Sequence, residues 1–198
     1  VLYKGKDIYR ISQSQVINNF YNIRTSIEKL SYATYFVELT SEVIEESYPN
    51  QKVLNLLLNT LYLLSDTDKD PMLLKIVYEL RLMSLIGYAP NLINCSDCGS
   101  TESLKYFNSK SGGLVCIHCK GNVNNRGSIE ISEGARNAMR YIIYSPSNKI
   151  FSFMVSQKVL SELNIVIKDF ILTHIGREVK SLKYLKSILE LKSEKKNI

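Results

Sequence analysis

Four cysteines in the chain form two pairs with the same internal spacing, Cys95-Ser96-Asp97-Cys98 and Cys116-Ile117-His118-Cys119. Two residues between the cysteines of a pair allow both sulfurs of one tight turn to face the same ion. The 17 residues between the pairs fall within the roughly 15–20 that are typical of zinc ribbons. The spacing therefore predicts one structural Zn2+ held by Cys95, Cys98, Cys116 and Cys119, with no coordination position left open for catalysis.

Two other interpretations of the same cysteines stay open at this point. Disulfides are typical of secreted chains, but this sequence has no apolar signal segment. A thioredoxin-like dithiol uses a single C-x-x-C that opens a helix after a strand, whereas both pairs here lie among turn residues. His118 could replace a cysteine as a ligand, but it lies inside the second pair, and we expect it to be a bystander or an outer-shell group.

The residues around the cysteine pairs predict a small ribbon. Gly99 directly follows the first pair and Gly121 comes one residue after the second, and glycine permits the positive φ that such metal-binding turns use. Residues 104–107 and 113–116 have strand composition, and 108–112 form a turn between them. A module of this size buries too little apolar surface to fold alone, so metal binding should supply much of its stability.

The composition predicts a globular chain with one substantial core, or one core plus a small satellite, since 45% of its 198 residues are hydrophobic. No run of about 18 uninterrupted apolar residues occurs, so we expect no membrane span. Thiols at metal-binding spacing and the missing signal segment predict a reducing cytoplasm. The chain begins at Val1 and not at methionine, which leads us to expect further residues upstream.

Charge is distributed unevenly along the chain. Residues 1–119 contain 11 Lys/Arg and 12 Asp/Glu, whereas residues 120–198 contain 14 Lys/Arg and only 7 Asp/Glu. The basic half is the better candidate for contact with nucleic acid or with an acidic peptide. A basic surface that serves only solubility is the alternative.

Apolar periodicity predicts a mainly α fold, a bundle of about six helices with the four-cysteine ribbon inserted after the third. Residues 1–13 are predicted to be extended and to complete a sheet whose other strands lie upstream. The helices are predicted from Ser14 to about residue 49, over 50–65, from Asp70-Pro71 to Gly87, from Ser132 to Tyr144, from Ser156 to Gly176 and over about 178–191.

Several kinds of catalytic chemistry have no motif in this chain. There is no G-x-x-x-x-G-K-[ST] loop and no strand-borne G-x-G-x-x-G, so nucleotide binding lacks support. His174 is the only histidine outside the cysteine module, and we expect it to be structural. No residues combine as nucleophile, base and oxyanion donor. We therefore expect that the protein is not an enzyme.

Several segments in combination resemble the RecO family of bacterial recombination mediators. They are Asp7-Ile8-Tyr9-Arg10-Ile11-Ser12, Glu79-Leu80-Arg81-Leu82, Leu85-Ile86-Gly87-Tyr88-Ala89-Pro90 before Cys95, Gly112-Gly113-Leu114-Val115-Cys116, and Thr173-His174-Ile175-Gly176-Arg177 with Lys180-Ser181-Leu182-Lys183. The resemblance implies that 1–13 end an OB-fold, that 14–91 and 127–198 form a helical domain, and that 92–126 form the zinc module.

The resemblance also implies a function in DNA repair and recombination. Proteins of this family bind single- and double-stranded DNA, anneal strands, and act with RecR to load RecA onto DNA covered by single-strand-binding protein. Their helical domain receives the acidic C-terminal tail of that binding protein. Phosphates or an acidic tail require cations, and the candidates in the basic half are Arg136, Arg140, Arg177, Lys180, Lys183 and Lys186.

Two other functions compete with this interpretation. A zinc-ribbon transcription regulator would carry basic residues on the ribbon itself, but only Lys105 and Lys110 lie between Cys98 and Cys116, against Glu102. A thiol oxidoreductase would have a reactive cysteine of low pKa and no bound metal.

Overall fold

A computed structural model describes residues 2–5, 8–44 and 49–196 of the chain. The described residues form seven α-helices: α1 Tyr21–Arg24, α2 Ile27–Val43, α3 Gln51–Asp66, α4 Pro71–Leu85, α5 Glu133–Tyr144, α6 Gln157–Ile175 and α7 Lys180–Lys196. Because α1 is a single turn, the mainly α fold with about six substantial helices is confirmed. Among these helices, none has both the length and the apolar character that crossing a bilayer requires.

Local hydrogen bonds explain where the helices begin and end. The side chain of Asp70 accepts from the Met72 N–H at the start of α4. The side chains of Ser132 and Ser156 each accept from the backbone N–H three residues later, at the starts of α5 and α6. Each of these contacts satisfies one of the N–H groups that a helix start leaves unpaired. Gly176 ends α6 with a φ of 80°, as a glycine C-cap does. These predicted boundaries are confirmed.

The N-terminal residues agree with the sequence prediction in part, since two strands lie within the predicted extended segment 1–13. Strands β1 (Leu2–Lys4) and β2 (Tyr9–Ile11) pair antiparallel, with their side chains exposed. The prediction that a helix starts at Ser14 is wrong, because residues 12–20 are irregular. The side chain of Asn18 accepts from the Phe20 N–H at 2.8 Å, and Phe20 has a φ of 47°, so a local turn replaces the first helical turns. The predicted end near residue 49 is also wrong, because α2 ends at Val43 and Ile44 is extended. Residues 45–48 lie outside the described residues.

Helix α4 lies at the centre of the bundle, where it packs against α2, α3, α5 and α6. It buries a charged pair, since the Lys75 Nζ lies 2.9 Å from Glu79 Oε1 and both side chains are at most 6% exposed. The Lys75 Nζ also donates to Asn164 on α6 at 3.0 Å, and the Tyr35 hydroxyl on α2 donates to Glu79. The pair therefore joins three helices through one polar network.

The cysteine module contains a three-stranded antiparallel sheet of order β4-β3-β5, formed by β3 (Leu104–Asn108), β4 (Gly113–Cys116) and β5 (Ile129–Glu130). The first two strands were predicted, whereas the two-residue β5 was not. Gly113 starts β4 where the backbone of Asn91 crosses, and a Cβ there would lie 2.3 Å from the Asn91 carbonyl oxygen. Only glycine permits this approach.

The module packs directly on the helical bundle. The ring of Phe107 on β3 meets that of Phe170 on α6 edge to face, with centroids 5.7 Å apart. The Ser109 hydroxyl donates to Asp169 at 2.6 Å. Because Phe107 and Phe170 are both buried, the module and the helices share one core.

Candidate metal centre and basic groove

Each cysteine pair lies on a tight turn closed by backbone hydrogen bonds. In the first turn the Gly99 N–H donates to the Cys95 carbonyl at 3.0 Å, and in the second the N–H groups of Cys119 and Lys120 donate to the Cys116 carbonyl at 3.2 Å. Gly99 has a φ of 75°, as the sequence predicts for a glycine that follows such a turn, whereas the same prediction is wrong for Gly121, whose φ is not positive. The two turns are brought together because β4 runs into the second pair and pairs with β3.

The four sulfurs lie within 4.8 Å of one another, so they could hold a metal ion. The Sγ atoms of Cys98 and Cys116 are 3.7 Å apart. A tetrahedral site with Zn–S bonds of about 2.3 Å requires sulfurs about 3.8 Å apart, so the donor set fits. Cys95, Cys116 and Cys119 are buried and Cys98 is exposed.

The surroundings of Cys95 favour the thiolate that a metal ligand must supply. Burial raises the pKa of this thiol, but N–H donors of Cys98, Cys116 and Asp97 outweigh burial and lower the pKa to about 6, whereas hydrogen bonding with the Cys98 sulfur raises the pKa of Cys119. The Cys116 N–H lies 3.4 Å from the Cys95 sulfur. A reactive dithiol combines low pKa with access, whereas the sulfur with the lowered pKa here is buried.

His118 is exposed and does not belong to the group of clustered donors within the described chain. The second pair directs its sulfurs inward through the turn, and the residues between them face outward. This position matches the bystander that the sequence analysis expected.

Arg136 and Arg140, two of the predicted basic site residues, hold the module against α5. The Arg136 Nη1 donates to the Leu104 carbonyl at 2.8 Å, and the Arg140 Nε donates to the Leu92 carbonyl at 2.6 Å. Both side chains are partly buried. Their hydrogen bonds therefore attach the entry of the module and its first long strand to the helices.

The remaining predicted cations lie on or just before α7, which packs against α2. Arg177 pairs with Glu42, and its Nε donates to that carboxylate at 2.8 Å. Lys186 pairs with Glu178 at 2.8 Å. Lys180 and Lys183 are exposed and form no ion pair within the described residues. The structure thus does not gather the six predicted cations on one surface.

A groove of about 800 Å3 lies between α1, α2 and α7, and we call it the α2–α7 groove. Its walls are mostly apolar, and three of its side chains, Leu30, Val37 and Tyr184, are each between 43% and 51% exposed. Arg24 and Lys180 also line it, and neither forms an ion pair within the described residues. Sequence reasoning missed Arg24, because it lies in the half of the chain that carries no excess of positive charge.

One carboxylate, that of Glu38, also lies in the groove. The N–H groups of Ser181 and Lys180 at the start of α7 donate to Glu38 at 2.7 and 3.3 Å. Hydrogen bonds from Ser181 and the N–H of Lys180 lower the pKa of this carboxyl. Glu38 thus caps α7 from the neighbouring helix.

Comparison with known proteins shows the family of this chain. The family model described as Recombination protein O C terminal matches residues 24–183. The chain belongs to the RecO family. A protein of Acetivibrio thermocellus named DNA repair protein RecO is 39% identical over 194 residues, which are 97% of this chain and 76% of that protein. Proteins of the same name from Alkaliphilus metalliredigens and Dehalococcoides mccartyi are 34% and 32% identical, over 89% and 94% of this chain and 72% and 73% of their own lengths.

Proposed function

We propose that this chain is a mediator of DNA repair and homologous recombination. It binds single- and double-stranded DNA, promotes annealing, and helps RecR to load RecA onto DNA covered by single-strand-binding protein. Membership of the family and relatives that carry the name DNA repair protein RecO support this proposal. The protein acts by binding and not by catalysis, in line with a sequence that contains no nucleotide-binding loop.

The chain is divided into three parts under this function. Residues 1–13 end an OB-fold, 14–91 and 127–198 form the helical domain, and 92–126 form a zinc module. The four clustered sulfurs, of which those of Cys98 and Cys116 are 3.7 Å apart, support Zn2+ as the metal. With four thiolates the ion has no open position, so it stabilises the module and takes no part in a reaction.

The α2–α7 groove receives the acidic C-terminal tail of single-strand-binding protein. The observation that carries this assignment is an apolar groove with two cations, Arg24 and Lys180. Neither forms an ion pair within the described residues, although Lys180 interacts electrostatically with the Glu38 carboxylate in the same groove. Its volume of about 800 Å3 lies in the common range of ligand pockets, about 300–1,000 Å3. Apolar side chains of a short peptide would fill the groove while its carboxylates meet the cations.

DNA is contacted by the exposed cations of α7. Lys183 has no ion pair within the described chain, whereas Arg177 and Lys186 must exchange the carboxylates of Glu42 and Glu178 for phosphates. Such exchange makes affinity weak and strongly dependent on salt. Arg136 and Arg140 contribute less, since part of each guanidinium is bound to carbonyl groups of the module.

Fluorescence anisotropy with a labelled acidic tail peptide tests the groove assignment. The zinc-loaded chain should bind the peptide, and binding should weaken as salt rises because the rim charges are exposed. Arg24→Glu and Lys180→Glu should each reduce affinity at least threefold. Lys158→Glu is the matched control, because Lys158 is exposed on α6 and does not line the groove. Equal affinity of all three variants would contradict the assignment.

A further inference from the structure

A carboxylate outside the four ligands connects the two cysteine turns. Asp97 lies between Cys95 and Cys98, and its Oδ2 accepts from the side-chain amides of Asn122 at 2.6 Å and Asn125 at 2.9 Å. Both asparagines follow the second cysteine pair in sequence. One oxygen of the first turn is therefore bonded to the segment that leaves the second turn.

Asn125 is the buried member of this set, with 1% of its surface exposed. Its Nδ2 donates to Asp97 and also to the Cys119 carbonyl at 2.8 Å, and its Oδ1 accepts from the Ser111 hydroxyl at 2.7 Å. Both amide protons and the amide oxygen thus have partners. A buried side chain whose polar atoms are all bonded is held in one rotamer.

We propose that Asp97 and Asn125 are positioning residues that hold the two cysteine turns together and so slow the release of the metal. The inference rests on the zinc site of the proposed function. Metal release requires the two turns to separate, since each contributes two sulfurs. Separation breaks the Asp97–Asn125 hydrogen bond, which is strengthened by the charge of the carboxylate, and exposes an amide that is now buried. Outer-shell contacts of this kind typically change metal affinity about 10–100-fold.

The test uses the full zinc-loaded chain and a colorimetric chelator, 4-(2-pyridylazo)resorcinol, which reports zinc release directly. Asp97→Ala and Asn125→Ala should release zinc at least tenfold faster than the wild type. Asp97→Asn keeps an acceptor oxygen and should give an intermediate rate. Asn124→Ala is the matched control, because Asn124 is the exposed neighbour of Asn125, and its side chain takes no part in the Asp97 contacts.

A second measurement separates positioning from a general loss of stability. Cobalt substitution should give the absorption of a four-thiolate tetrahedral site in the wild type and in both alanine variants, because the ligands are unchanged. Helix unfolding followed by circular dichroism should begin at the same temperature in Asp97→Ala and in the control, since Asp97 is exposed.

Three outcomes decide the inference. Faster release with unchanged cobalt spectra supports it. A rate of zinc release from Asp97→Ala within twofold of the control rate overturns the inference. Because Asp97 is exposed, this variant decides the question even if Asn125→Ala fails to fold. A wild type that binds neither zinc nor cobalt overturns the proposed zinc site itself. A wild type that binds zinc but releases it at a rate independent of Asp97 overturns only the role of Asp97 and Asn125.

Discussion

Replacing Glu38 with glutamine should affect stability and ligand binding in opposite directions. In the wild type the Glu38 carboxylate accepts from the N–H groups of Ser181 and Lys180 at the start of α7. Glutamine keeps one acceptor oxygen but loses the negative charge. Helix caps contribute about 0.5–2 kcal/mol and a charge at a helix N-terminus about 0.3–1 kcal/mol. Since one acceptor stays, we expect a loss of about 0.5–1 kcal/mol of unfolding free energy.

The loss should appear in thermal melting and should depend on pH. For a chain of this length 1 kcal/mol corresponds to about 2–4 °C in Tm. The folded pKa of Glu38 is lowered from 4.5, so its charge stabilises the fold above that value and ceases to do so as pH falls through the folded pKa. Wild type and Glu38→Gln should therefore differ at pH 7 and converge in acid.

The same change should strengthen the binding of an acidic peptide in the α2–α7 groove. A peptide carboxylate about 6 Å from Glu38 is repelled by about 0.7 kcal/mol at the dielectric constant of water. Removing this repulsion raises affinity about threefold, and more where the bound peptide excludes water. Anisotropy titration at low salt measures the change, with Glu42→Gln as the control, because Glu42 pairs with Arg177 and does not line the groove. Weaker or unchanged peptide binding in Glu38→Gln would refute the reasoning.

Three further predictions concern the core and its ion pairs. Glu79→Leu leaves Lys75 buried without its counter-charge and should lower the free energy of unfolding, measured with denaturant, by about 3–5 kcal/mol. The double variant K75M/E79L should recover most of that loss. A double variant that is no more stable than Glu79→Leu would contradict this prediction. Phe170→Ala removes a buried ring that joins the module to α6 and should cost about 3–5 kcal/mol, a loss that zinc loading cannot restore in a melting experiment. Hydrogen bonding with Lys186 lowers the pKa of Glu178, so Glu178→Gln should be less stable than wild type at pH 7 and equal to it in acid, which pH-dependent melting checks.

Features that depend on a few neighbouring residues were predictable from the sequence. The sequence predicts the helix starts at Asp70, Ser132 and Ser156, because a capping side chain bonds to an N–H two or three residues away. The two ribbon strands and the cysteine turns were also predictable, because each depends on the types and spacing of a few neighbouring residues. The wrong helix start at Ser14 has a local cause too, since the Asn18 side chain closes a turn that apolar periodicity does not detect.

Features that join distant parts of the chain could not be obtained from composition or spacing. Arg24 and Lys180 line one groove although they lie in opposite halves of the sequence. Arg136 and Arg140 looked like free cations in a basic segment, but they bind carbonyl groups of the module. The charge of a side chain can be counted from sequence, whereas its partner depends on which helices pack together.

The cysteine site combines both kinds of information. Spacing alone predicts the four donors, because two residues between cysteines suffice to form each turn. The distance between the two turns depends on the pairing of β3 with β4. It also depends on the contact between Asp97 and Asn125, two residues that are far apart in sequence. Short-range geometry is encoded in neighbouring residues, but the meeting of two turns requires burial and hydrogen bonding across the folded chain, and only the tertiary structure decides it.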